Sequence, residues 1–241
     1  MEQYLHIKDA MKYNEKDLNS KLDFLSDLEE DKINFIYLGK QEYHYTWLIQ
    51  KQLHGLRKQN KIPDIVLLLE HNNVYTFGKN ADKDFLLDTH LDADIFQTDR
   101  GGQVTYHGPG QLVGYPIINL KNYKKSITWF MRSLEQVIIN TLNSFNITSE
   151  RKESLPGVWV EDEKICAMGV RIAQWVTMHG FALNIDPEME YFNGMIPCGI
   201  LDCGVTSMKI QKKHFIQLDD VIDVLIKEFN LVFKLGLANE I

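Results

Sequence analysis

Two stretches of this 241-residue chain hold residue types suited to nucleophilic chemistry by a thiol. In Ile196-Pro197-Cys198-Gly199-Ile200 a thiol stands between proline and glycine. A turn there sets Cys198 beside open backbone N–H groups, which lower a thiol pKa and hold an oxyanion. Local sequence leaves two readings open, a nucleophile or a buried structural cysteine, the commonest fate of a free Cys. Lys164 begins Lys164-Ile165-Cys166-Ala167-Met168-Gly169, a run otherwise small and apolar. Such a lysine ordinarily reaches out to solvent, but facing a pocket its charge would favour a nearby thiolate. Cys166, mid-run, reads as packing. Cys203, between Asp202 and Gly204, keeps both readings. His107 and His179 are further candidates, with a satisfied, half-buried histidine as the default for His179.

The residues that would shape a pocket run from Arg100 to Pro116, with five glycines and two prolines among Arg100, Gln103, Thr105, Tyr106, His107 and Gln111. Glycine this dense costs chain entropy and marks tight turns or close approach of backbone to a ligand. Polar and aromatic side chains between such turns suit a binding loop better than a plain surface connection.

These stretches need a scaffold, and 44 % hydrophobic residues supply enough for a sizeable core. One domain is the simplest account, with no linker, repeat or low-complexity tract. A net charge of −7 argues against general affinity for nucleic acid. No apolar run reaches membrane-spanning length. The acidic start lacks a secretory core and is unlike an acid-poor transit peptide, so cytoplasmic residence is expected. Three cysteines do not make a disulfide framework, and their spacing is not a zinc pattern. No metal and no cofactor are expected.

Residues 1–32 read as an extension, helical or mobile, whose Leu18, Leu22 and Leu25 recur at helical spacing. Residues 33–241 read as a single domain. Strands are expected at Ile33–Leu38, ended by Gly39, at Ile65–Glu70, Asp94–Thr98 and Leu112–Leu120, and at Gly157–Glu161, Lys164–Ile172 and Trp175–Ile185. Helices are expected from Gln41 to Lys58, from a Ser126 cap to Phe145, and from Leu218 to Leu235. Residues 186–207 read as irregular. Hairpins packed on a few long helices give an α/β or α+β domain, a mixed β-sheet flanked by helices.

Five segments in register resemble the octanoyltransferases of lipoate biosynthesis: Arg100–His107 with Gly108-Pro109-Gly110-Gln111; Lys164–Gly169; Gly180-Phe181-Ala182-Leu183-Asn184; Pro197–Ile200; and Gly204-Val205-Thr206-Ser207. The resemblance covers about residue 34 to the C-terminus. It implies the fold of biotin and lipoate protein ligase catalytic domains. It also implies octanoyl (or lipoyl) transfer from acyl carrier protein to a lysine of lipoyl domains, in 2-oxoacid dehydrogenases and the glycine cleavage H protein, through a thioester on cysteine. Cys198 matches the family's nucleophile, and Lys164 the lysine that lowers its pKa and serves as acid and base. Arg100, Gly101, Gly102, Gln103, Val104, Thr105, Tyr106 and His107 match segments contacting the acyl substrate, as do Ala167, Met168, Gly169, Gly180, Phe181 and Ala182. Cys166 departs from the family, which commonly has alanine there. Gly101, Gly102, Gly169 and Gly180 are expected to leave room for a thin acyl chain.

A monomer is expected. Acidic protein partners would need local basic patches, for which Lys51, Arg57, Lys58 and Lys61, and Lys121, Lys124, Lys125 and Arg132, are the candidates. The competing readings are an ATP-dependent lipoate ligase of the same fold, and a non-catalytic protein that binds acyl carriers.

Overall fold

The computed structural model describes residues 5–6, 22–79, 81–87, 92–196 and 204–238, so Cys198 and Cys203 lie outside the described residues. Along the chain the elements are β1 (Leu5–His6), β2 (Asn34–Gln41), α1 (Tyr43–Lys58), β3 (Ile65–His71), β4 (Val74–Phe77), β5 (Asp94–Gln97), β6 (Val104–His107), β7 (Gln111–Ile117) and α2 (Ile127–Ser144). Then come β8 (Glu150–Lys152), β9 (Leu155–Val160), β10 (Glu163–Ala173), β11 (Val176–Asn184), α3 (Glu190–Asn193), β12 (Gly204–Val205), α4 (Met208–Lys212) and α5 (Leu218–Ala238).

The main sheet runs β1-β2-β3-β7-β11-β10-β9-β8, with β12 added beside β10. Its β2–β3 pair is parallel and its β3–β7, β7–β11 and β10–β11 pairs are antiparallel, so the mixed sheet expected from the sequence is present. β3 is buried along both faces, which is why it reads as a continuous apolar run rather than an alternating one, and β11 is buried along its whole length although it carries Thr177, His179 and Asn184. One core packs α2 and α5 on one face through Phe130, Leu134, Ile138, Leu225 and Phe229. The other face packs α1 through Tyr45, Ile49 and Leu53. Ser126 caps α2 as expected, its Oγ accepting the Trp129 N–H at 3.2 Å.

A second sheet, β5-β4-β6, stands apart from the first and has its own aromatic core of Tyr75, Tyr106, Tyr191 and Phe192. Of its strands only β5 is expected from the sequence; β4 is not, and β6 falls in the glycine-rich stretch that reads as a binding loop.

Several boundaries differ from the expectations. Gly39 does not end β2; at φ 65° it carries the strand through a register shift to Gln41. The β10–β11 turn is Gln174-Trp175, both at positive φ, a two-residue hairpin turn one position later than the Ala173-Gln174 turn that the sequence suggests. The stretch expected to be irregular contains α3 and β12. Within the opening 32 residues, Leu5–His6 pairs in parallel with Ile36–Tyr37, and Leu22 and Phe24 are buried against the α1 face; Leu18 lies outside the described residues. No helix among the described residues is long and apolar enough to cross a membrane.

Candidate active site

The two short segments proposed for acyl contact are partners across one hairpin: Ala167 faces Ala182, Met168 faces Phe181 and Gly169 faces Gly180. The glycine-rich stretch lies over this hairpin, where the Gly101 N–H donates to the Val170 carbonyl at 3.1 Å. Between loop and hairpin is a chamber lined by Arg100, Thr105, His107, Met168, His179 and Phe181, with Tyr43 and Tyr115 among its walls. A second chamber shares Thr105 and Ala167 with the first and is lined by Lys164, Gln111, Asn184, Met195 and Val205. The two make one groove, with Lys164 at one end and the aromatic and histidine cluster at the other.

Lys164 is 5 % exposed. A buried ammonium is costly unless it is solvated by protein groups. Here Nζ donates to the Pro156 carbonyl at 3.1 Å and stands 4.6 Å from the centre of the Trp159 ring, a cation–π arrangement. Its stem passes Gly157, where a Cβ would lie 3.3 Å from Lys164 Cε and 2.5 Å from the Cys166 carbonyl oxygen. Gly157 also has φ 126°, a conformation other residues rarely adopt. The glycine is therefore what lets Lys164 run across β9. Cys166 is fully buried between Val158 and Leu183, and burial pushes its thiol well above the usual range. It is a packing residue, as its sequence setting suggested.

A hydrogen-bond relay joins the two chambers. Gln111 Nε2 donates to the Tyr106 carbonyl at 3.3 Å and to Asn184 Oδ1 at 2.9 Å, and Asn184 Nδ2 donates to the Thr206 carbonyl at 2.9 Å. Backbone carbonyls only accept, so they set both amides. Gln111 Oε1 therefore faces His107 Nδ1, at 2.8 Å, and that nitrogen must carry the proton. His107 is neutral with a bare Nε2. Burial first, and the neighbouring His71 next, hold its pKa down to about 3. The Thr206 N–H in turn donates to the Lys164 carbonyl at 3.0 Å, so the relay ends on the catalytic candidate's own backbone. Asn184→Ala leaves buried groups unpaired, each worth about 1–3 kcal/mol. At roughly 2–4 °C per kcal/mol in a chain of this size, a melt should show a Tm lower by several degrees. Single-turnover acylation should slow by about an order of magnitude.

His179, fully buried at φ 59°, is held by its N–H donating to Gln50 Oε1 at 2.9 Å and by Nε2 against Asp99 Oδ1 at 2.8 Å. It is more buried than the half-buried default. Asp99 is held down to about 2, chiefly by this histidine bond, and also pairs with Arg171 at 2.8 Å. His71, between the Gln41 carbonyl at 2.9 Å and the Tyr115 hydroxyl at 2.7 Å, is held down to about 4 by burial. Folded His71 and His107 refuse protons that the unfolded chain accepts below about pH 6.5. Their stabilising share is thus complete above that pH and drains as pH falls toward 4 for His71 and toward 3 for His107. Urea midpoints should fall across this window, and His107→Gln should flatten the slope; a flat wild-type profile would contradict both assignments.

Not every proposed contact residue reaches the groove. Arg100, Thr105 and His107 line it, as do Val104 at the Lys164 end and the paired segments 167–169 and 180–182. Tyr106 points the other way into the small core, stacked on Tyr191 at 4.9 Å between ring centres. Gln103 Oε1 accepts the Asp82 N–H at 3.0 Å. Gly101 and Gly102 serve the loop's path, Gly102 at φ 85°. The expectation that glycines leave open room is corrected at Gly180, where a Cβ would lie 2.1 Å from the Gly114 oxygen, and at Gly169, 2.9 Å from the Gly101 oxygen. They permit backbones to close on one another. Sequence reading missed Tyr43, Tyr115, His71 and Asp99 as parts of the site. Tyr115, inside the Arg100–Pro116 stretch, and Asp99, one residue before it, carried a local signal; Tyr43 and His71 carried none.

A family model described as lipoyl protein ligase A/B catalytic domain matches residues 42–230. An octanoyltransferase of Gloeobacter violaceus is 45 % identical over 163 residues, covering 67 % of this chain and 73 % of its own. One of Cytophaga hutchinsonii is 39 % identical over 226 residues, covering 84 % and 93 %. Among solved structures, P. falciparum LipL1 in complex with lipoate superposes with TM-score 0.64 at 19 % identity, covering 85 % of this chain and 63 % of that one. Biotin protein ligase from Aquifex aeolicus, in complex with biotin and ATP, superposes with TM-score 0.53 at 15 % identity, covering 85 % and 72 %. These two share the fold.

Proposed function

The chain belongs to the octanoyltransferases within the lipoyl protein ligase A/B catalytic-domain family, and on that premise we propose that it moves an octanoyl group from acyl carrier protein to a lysine of lipoyl domains through an acyl thioester on Cys198. The observation that carries this reading is the surroundings of Lys164. Its chamber opens into the groove under the glycine-rich loop and is lined by Met195 and Val205, the residues that bracket the Cys198 segment.

In the first half-reaction the Cys198 thiolate, favoured by the Lys164 ammonium, attacks the carrier thioester carbonyl. The tetrahedral oxyanion collapses, the carrier thiolate leaves, and it takes its proton from Lys164. Lys164, now neutral, removes a proton from the acceptor lysine as that amine attacks the acyl-cysteine. The Cys198 thiolate leaves and the ammonium is restored. Proton and charge balance over the cycle. The groove between the glycine-rich loop and the hairpin of Ala167–Gly169 and Gly180–Ala182 holds the alkyl chain, and Thr105 and Ala167 stand where its two chambers meet. In this reading the catalytic domain is residues 33–241, the opening 32 residues contribute packing, the acceptors are the lipoyl domains of 2-oxoacid dehydrogenases and the glycine cleavage H protein, and the setting is the cytoplasm.

Incubation with octanoyl-carrier protein, then with an apo lipoyl domain, tests this by intact mass. An octanoyl increment should appear first on the enzyme and then on the acceptor, without ATP. Transfer that requires ATP, or none at all with both partners intact, overturns it.

A further inference from the structure

Of the basic residues expected to dock acidic partners, Lys58, Lys61, Lys121, Lys124 and Lys125 lie at the wrong end of the sheet. Gln111, Asn184 and Lys164 share one end; Ile65, Ile117 and Val176 mark the other. Lys58 and Lys61 lead into Ile65, and Lys121, Lys124 and Lys125 follow β7 just past Asn119, which bridges Val176. Seven residues of β7 at roughly 3.4 Å each separate the ends by about 20 Å, beyond two screening lengths of about 8 Å at physiological salt. Arg57 is buried on Asp64 at 2.7 Å, and Arg132 is paired with Glu135 at 2.8 Å.

We propose instead that α4 and the turn after it form the docking surface for the acyl donor, an acidic carrier protein that delivers its thioester on a long flexible arm. The proposal rests on the function assigned above. The surface presents Lys212 and Lys213 between two exposed apolar side chains, Ile210 at 47 % and Phe215 at 62 %. Lys209 is tied to Asp186 at 2.8 Å, but no described carboxylate lies within ion-pair distance of Lys212 or Lys213. The link to the site is short and rigid. Val205 lines the Lys164 chamber, Thr206 bonds the Lys164 backbone, and Ser207 Oγ caps α4 by accepting the Ile210 N–H at 3.3 Å.

Two observations select the partner. The neighbouring rim is net negative, with Glu150, Glu153, Glu161, Asp162 and Glu163 against Arg151 and Lys152, the last paired with Asp162. Its net charge disfavours an acidic protein there, while Lys212 and Lys213 favour one at α4. The patch also stands to one side of the chamber mouth, at the far end of a helix about 7.5 Å long. A donor whose thioester rides on an arm can sit there and reach the mouth. An acceptor must bring its lysine no farther than that side chain's length and has to seat over the mouth itself.

The test separates the half-reactions in Lys212→Glu/Lys213→Glu and, independently, Phe215→Ser. Expected is at least a tenfold rise in KM for octanoyl-carrier protein, lost at high salt for the charge variant, with kcat/KM for a small octanoyl thioester within twofold of the parent. Transfer from preformed octanoyl-enzyme to an apo lipoyl domain should be unchanged. An unchanged carrier KM in both variants overturns the proposal, as does an equal loss with the small thioester. A defect confined to the acceptor half-reaction assigns the surface to the other partner and also overturns it. If the parent enzyme forms no octanoyl adduct even from the small thioester, it is the proposed function that fails.

Discussion

Cys198→Ala abolishes the octanoyl-enzyme adduct and lowers transfer by on the order of 10⁴ or more, because removing a covalent nucleophile leaves only binding and oxyanion stabilisation. Cys166→Ala, in contrast, keeps most of the activity. Cys166 is fully buried beside Leu183 and Val158, and its thiol is held protonated by burial, so it has neither access nor nucleophilic character. Its removal costs roughly 1 kcal/mol of packing, seen as a small drop in Tm. Peptide mapping of the trapped adduct decides between them. An octanoyl group on Cys166, or a Cys198→Ala enzyme that still acylates, would refute the assignment.

Lys164→Met slows acyl-enzyme formation by about 10²–10⁴-fold, the span usual for loss of a positioned acid or base. Methionine keeps much of the stem that passes Gly157 and packs near Trp159, and it removes a buried charge. Replacing a buried charge with an apolar group of similar shape is often neutral or stabilising. Tm should therefore hold or rise while activity collapses, a combination that a purely structural lysine does not produce. The pH profile supplies a second readout. Without the ammonium the Cys198 thiol returns toward an ordinary pKa of about 8.5, so residual acylation should climb with pH through that value. Gly157→Ala should give a milder version of the same defect with a lower Tm, since its Cβ meets the Cys166 carbonyl and the lysine stem. A Lys164→Met enzyme with more than a tenth of parental activity would remove Lys164 from the chemistry.

Much of this molecule is legible in one dimension. α2 is set by apolar residues at 3.6-residue spacing behind a serine cap, and the structure ends it one residue from the expected Phe145. β3 announces itself as a buried apolar run, and the hairpin turn Gln174-Trp175 lies one residue from the Ala173-Gln174 position that the sequence suggests. Periodicity, capping and turn chemistry act over a few residues, so sequence alone determines them. It determined the chemical vocabulary too: a thiol between proline and glycine, a lysine at the head of an apolar strand, and a loop crowded with glycine.

Tertiary structure decided which of those pieces meet. That Ala167–Gly169 faces Gly180–Ala182 is a matter of strand register. That Gln111, Asn184 and Thr206, 95 residues apart from first to last, form one relay into Lys164 depends on three strands arriving at the same end of a sheet. Burial was decided there as well. Arg57 looks like surface charge beside Lys58, yet it is sealed against Asp64, and Gly180 looks like room for a ligand, yet it is where two backbones close. The physical reason is common to all of these. A residue's neighbours along the chain set its backbone conformation, but its exposure, its charge state and the partner it faces are set by groups that only folding brings within a few ångströms.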